Sequence, residues 1–79
     1  MKTVKKGIYR HYRGSTYEVI GVAVHSETGE ELVVYRALYG KKKLWVRPKE
    51  MFCEKVVKNA KPVPRFEYLR KNSISFPGR

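Results

Sequence analysis

The side chains of this sequence that could do chemistry are cationic and aromatic, and they come in clusters. Tyr9-Arg10-His11-Tyr12 sets an arginine and an imidazole between two phenols. A guanidinium is a planar, permanently charged fork suited to carboxylates and phosphates, and a neighbouring hydroxyl or imidazole can complete the grip. Leu44-Trp45-Val46-Arg47-Pro48 places the sole tryptophan beside another arginine, with Arg36 and Tyr39 in the stretch before it. Arg10, His11, Tyr12, Arg36, Tyr39, Trp45 and Arg47 are therefore the candidate ligand-binding residues. They suit an acidic or extended ligand, such as a protein or peptide segment. Lys41-Lys42-Lys43, with Arg47 and Lys49, suggests a second chemistry. Lysines meet phosphates without reading sequence, and aromatic rings stack on bases. Nucleic acid is the alternative partner.

Each cluster also has a purely structural reading. Tyrosine rings can cover a core while Arg10 pairs with a glutamate across strands. Trp45 can lie under the guanidinium of Arg47. Lysines at a hairpin tip are a common protection for sheet edges. Other chemistries find little support. A single cysteine, Cys53, allows neither an internal disulfide nor a multi-cysteine zinc site. His11, His25 and Cys53 match no ligand spacing, so no metal and no cofactor is expected. His11 and His25 as an acid–base pair would make a small hydrolase, but nothing in the sequence brings them together, and no catalytic residue is assigned. A chain of 79 residues is also short for a deep, water-excluding pocket.

Eighteen Lys and Arg against seven Glu leave a net charge of +11. Glu18, Glu27, Glu30 and Glu31 occupy a stretch, 18–35, that has no Lys or Arg. The expected molecule is positive with one acidic segment, a field that raises encounter rates with anionic partners. No apolar run is long enough for a membrane span, and the charged start lacks the apolar run of a signal peptide. With so little cysteine, a cytoplasmic protein in a reducing compartment is expected; its oligomeric state is not legible.

The elements that must position these residues read as β. Strands are expected over residues 7–12, 16–25, 31–39, 44–47 and 53–57, with a last extended or irregular segment over 63–69. Gly21 interrupts alternation inside the second strand and marks a bend or bulge. Gly29 suits a turn with positive φ. Pro48 stops the fourth strand and opens one 3₁₀ or helical turn through Phe52. In the fourth strand Leu44 and Val46 are expected to face the core, turning Trp45 and Arg47 outward. Short strands at regular spacing, with one helical turn before the last, predict a small five-stranded SH3-like barrel or roll. The boundaries expected are a basic arm over 1–6, the barrel over 7–69 and a flexible tail over 70–79.

Several motifs occur in a recognisable order. Gly7-Ile8-Tyr9-Arg10-His11-Tyr12-Arg13-Gly14 is followed by Tyr17-Glu18-Val19-Ile20-Gly21-Val22-Ala23, then by His25-Ser26-Glu27-Thr28 and Glu31-Leu32-Val33-Val34-Tyr35. Ala37-Leu38-Tyr39-Gly40, Leu44-Trp45-Val46-Arg47-Pro48 with Met51-Phe52, and Pro64-Arg65-Phe66 complete the series. Over about residues 7–69 the chain resembles the bacterial domain-of-unknown-function family DUF1653. The resemblance implies an SH3-like barrel in a bacterial, intracellular protein and no established activity. Lys41-Lys42-Lys43 departs from it, because the family carries an acidic residue and a glycine at that tip.

Overall fold

A computed structural model describes residues 3–71 of the chain. Strands β1 (Gly7–His11), β2 (Thr16–Val24), β3 (Glu31–Ala37) and β4 (Leu44–Pro48) precede a single turn of helix, α1 (Lys49–Phe52). Strands β5 (Lys55–Lys58), β6 (Lys61–Pro64) and β7 (Phe66–Arg70) follow it. The all-β class and the short helix after Pro48 agree with the sequence. The count and closure differ. Five strands form one antiparallel sheet in the order β4-β3-β2-β1-β7, and β5 pairs with β6 as a separate hairpin. The sheet is not a closed barrel, because β4 and β7 remain its two edges.

The sheet is nevertheless strongly curled. Four strand spacings would hold the edges of a flat sheet roughly 19 Å apart. Instead the Arg47 guanidinium of β4 lies over the Phe66 ring of β7 at 5.9 Å. Tyr35 of β3 and Phe66 have ring centroids 5.5 Å apart. One irregularity that permits this curvature falls where Gly21 predicts it. Val19 pairs with Tyr35 and Gly21 with Val34, so Ile20 is an extra residue in β2. A second shift lies between β1 and β7, where Ile8 pairs with Arg70 and Tyr9 with Tyr68, so Leu69 is an extra residue in β7.

The inner face holds an aromatic core. Tyr9, Val19, Val33, Tyr35, Phe52 and Phe66 are buried together, with Val4, Tyr17 and Tyr68 packed against them. Phe52 and Phe66 stack at 4.2 Å between centroids, and Tyr9 meets Phe52 edge-on at 5.4 Å. A four-residue helix has no stability of its own, so this packing of Phe52 is what holds α1 in place.

The β5–β6 hairpin was hidden in the sequence by its turn. Asn59 and Ala60 both have positive φ, 54° and 65°, a conformation that ordinarily signals itself as Asn-Gly. The tail expected over 70–79 lies outside the described residues beyond Lys71, while Arg70 closes β7. Among the described residues no helix is long and apolar enough to cross a membrane.

Candidate functional site

Antiparallel partners share a face, so register decides which side chains can meet. Tyr35 pairs with Trp45, and Val33 with Arg47. Tyr35 and Val33 are buried on the inner face, so Trp45 and Arg47 belong to that face too. This reverses the expected orientation of β4. Leu44 and Val46 lie on the outer face and are 55% and 59% exposed. The physical reason is that aromatic rings from β1, β2, β3, β7 and α1 already fill the interior, leaving the edge strand to contribute a rim. Trp45 is 49% exposed on that rim.

The inner face carries a polar–aromatic group at the seam between the two edge strands. His11 of β1 pairs with Phe66 of β7, and their rings meet edge-on at 4.9 Å. Tyr17 contacts His11, Tyr35, Tyr39 and Phe66 through its ring. Its hydroxyl shares a 2.7 Å hydrogen bond with the Tyr39 hydroxyl. Arg47 Nε donates to the Tyr35 hydroxyl at 3.3 Å, the only side-chain hydrogen bond it makes among the described residues. Its terminal nitrogens make no hydrogen bond among the described residues.

The electrostatics of this group are one-sided. Burial, then the guanidiniums of Arg65, Arg47 and Arg13, push the His11 imidazole below its ordinary value. Its Nδ1 accepts the backbone N–H of Arg13 at 3.1 Å, so the neutral ring carries its proton on Nε2. Burial, with the bond to Tyr39, pushes the Tyr17 hydroxyl up to about 12. Two carboxylates are paired with arginines: Glu54 holds Arg65, one of the three guanidiniums around His11, at 2.9 Å, and Glu67 holds Arg10 on the other face at 3.2 Å. The seam is thus a cationic, aromatic-walled surface in which the guanidiniums outnumber the carboxylates.

The other predicted site residues fall in different places. Arg10 lies on the opposite face of β1 from His11 and makes the cross-strand pair with Glu67 that its structural reading foresaw. Tyr12 lies beyond the end of β1, its ring 4.6 Å from His11, and its hydroxyl accepts from Arg13 Nε at 3.2 Å. Arg10, His11, Tyr12, Arg13 and Lys58 do line one open cleft of about 420 Å³ at that end of the sheet. Arg36 is on the outer face, opposite Glu18 and Leu44, with a terminal nitrogen 3.4 Å from the Lys42 carbonyl oxygen. Lys41, Lys42 and Lys43 are exposed in the β3–β4 connection. Lys49 is held by Glu31 at 2.9 Å, which withdraws it from the basic run. His25 is spent on a turn, where its Nδ1 accepts the N–H of Glu27 at 3.1 Å. The seven candidates therefore do not form one groove: His11, Tyr39, Trp45 and Arg47 share the inner face, Arg10 and Arg36 do not, and Tyr12 lies past the end of β1.

Tyr17, Tyr35, Arg65 and Phe66 were not singled out from the sequence. Alternation along Val33, Tyr35 and Ala37 was the available signal, since a tyrosine on a core face buries its ring and presents its hydroxyl at the rim.

The model of a family described as protein of unknown function, DUF1653, matches residues 7–68. The chain belongs to the DUF1653 family. A crystal structure of a DUF1653 protein from Bordetella bronchiseptica is similar to it at 36% identity and a TM-score of 0.82, over 91% of this chain and 95% of that one. No curated protein matches the chain. The DUF1653 match takes in β1 through Tyr68, and so His11, Tyr17, Tyr35, Tyr39, Trp45, Arg47 and Phe66.

Proposed function

We propose that this DUF1653 chain is a small binding module that takes an acidic ligand on the inner face of its curled sheet, at the seam between β4 and β7. Arg47 is the anchor, its free terminal nitrogens gripping a carboxylate. Tyr39 and the Tyr17 hydroxyl add polar contacts, Trp45 covers the ligand from the rim, and His11 lies at the far end. The supporting observation is the convergence of Arg47, Tyr35, Phe66 and His11 from four different strands on one surface where Arg13 and Arg65 add further positive potential.

Trp45, the sole tryptophan, supplies the assay. Its fluorescence should change on titration with a glutamate-rich peptide, and Arg47→Ala should weaken binding about tenfold, which corresponds to about 1.4 kcal/mol. Arg10→Ala, on the other face, should leave the affinity within about twofold. Equal losses from the two variants would reject the seam as the site.

A nucleic-acid ligand is the second reading, favoured by the exposed Lys41, Lys42 and Lys43 beside the half-exposed Tyr39 and Trp45. Oligothymidylate would then replace the peptide in the same titration. Its log affinity should fall with log salt by roughly 0.7 per phosphate contacted. Charge reversal of the three lysines should abolish it; unchanged affinity would remove them as contacts.

A further inference from the structure

The ladder phase of β4 shows where its unused backbone groups point. The Ala37 N–H donates to the Lys43 carbonyl at 3.1 Å across the β3–β4 register. In an antiparallel pair, hydrogen-bonded and non-bonded positions alternate. Trp45 and Arg47, opposite Tyr35 and Val33, are therefore bonded to β3. Leu44 and Val46 turn their N–H and C=O groups to the open edge. That edge is the last strand of its sheet, and Leu44, Trp45 and Val46 are all exposed along it.

We infer that β4 accepts an added strand at Leu44–Val46, and that the strand is an extended acidic peptide segment. This rests on the seam reading and deepens it by naming the partner and its mode of attachment. Main-chain hydrogen bonds to an edge supply affinity, and alternate side chains supply specificity. Inner-face side chains of the added strand would lie beside Trp45 and Arg47. Outer-face ones would lie against Leu44 and Val46. Such a partner alternates acidic and apolar residues.

Charge decides the occupant. Lys41, Lys42 and Lys43 stand at the entry to the edge and Arg47 lies within it. A second copy of this chain, also at +11, would bring the same cations into opposition when two β4 edges met. Like charges directly opposite are destabilising in a ladder. Pro48 offers no N–H and ends the strand, so the added segment is short.

The test is amide hydrogen exchange on the whole protein with a peptide of alternating Glu and Val. Exchange at Leu44 and Val46 should slow at least about tenfold when Trp45 fluorescence reports saturation. Val46→Pro removes only an outward N–H, which an edge strand tolerates, and should weaken the peptide about tenfold or more with the circular dichroism retained. Fluorescence change with Arg47→Ala sensitivity but no slowing at Leu44 and Val46 would overturn the added strand while leaving the seam site standing. No fluorescence change with the peptide at all would overturn both. Protection by oligothymidylate rather than by the peptide would assign the edge region to nucleic acid and reject the peptide partner. A dimer of the free protein with protected Leu44 and Val46 would reject the charge argument.

Discussion

At the scale of single residues, His11 and Arg47 are the informative pair. The native imidazole titrates below its ordinary value, chiefly through burial and then through Arg65, Arg47 and Arg13. The unfolded chain therefore binds a proton that the folded one refuses. The stability this contributes is full above about pH 6.5 and is lost as pH falls through the native value. Urea midpoints measured down from neutral pH should drop across that window, and His11→Gln should flatten the slope. An acidic ligand beside the ring favours the protonated form, so binding should tighten as pH falls. Arg47→Lys should rescue little of the affinity lost in Arg47→Ala, because an ammonium cannot reproduce the planar fork. At the other end of the range, Tyr17 should ionise near pH 12, and Tyr39→Phe should lower that value by removing one of its causes. Ultraviolet difference spectra would follow it.

At the scale of elements, the curled sheet depends on a few backbone positions and one plug. Gly7 has φ 147°, and a Cβ there would lie 2.6 Å from the Arg70 carbonyl oxygen and 2.9 Å from the Tyr68 ring. Gly7→Ala should therefore cost about 3 kcal/mol or more in chemical denaturation, since backbone cannot yield cheaply. Ala60→Gly should instead stabilise by about 1 kcal/mol, because alanine is strained at its φ of 65°. Phe52→Ala should cost about 3–5 kcal/mol and release α1 from the core. These elements also show how far the sequence could be read. β1 to β4, the bulge near Gly21 and the turn after Pro48 were legible because alternation, Gly and Pro mark them locally. The strand expected over 53–57 overlaps β5, but its pairing with β6 was not legible, since Ala60 stands where glycine usually signals the turn. The orientation of β4 was misread for a different reason. Leu44 and Val46 look like core residues, and only the register against β3 shows that Trp45 and Arg47 take the inner face. Tyr17, Tyr35 and Phe66 reach the site through long-range curvature, which no local pattern encodes.

For the whole molecule, the arrangement of charge matters more than its total. Glu27, Glu30 and Glu31 cluster around the β2–β3 turn, and Glu54 and Glu67 are bound to arginines. On the proposed reading, this uneven placement of charge would orient an anionic partner before contact, although Glu31 of that turn is itself bound to Lys49. Added salt should slow association with the glutamate-rich peptide more than it speeds dissociation. Stopped-flow fluorescence of Trp45 separates the two. The most direct test of the central claim is a nuclear magnetic resonance titration of the His11 ring across pH, with and without that peptide. An acidic ligand seated at the seam raises the imidazole value on binding and shifts the signals of Arg47 and Trp45 with it. A His11 titration left in place, with the largest shifts confined to Lys41, Lys42 and Lys43, would contradict the claim.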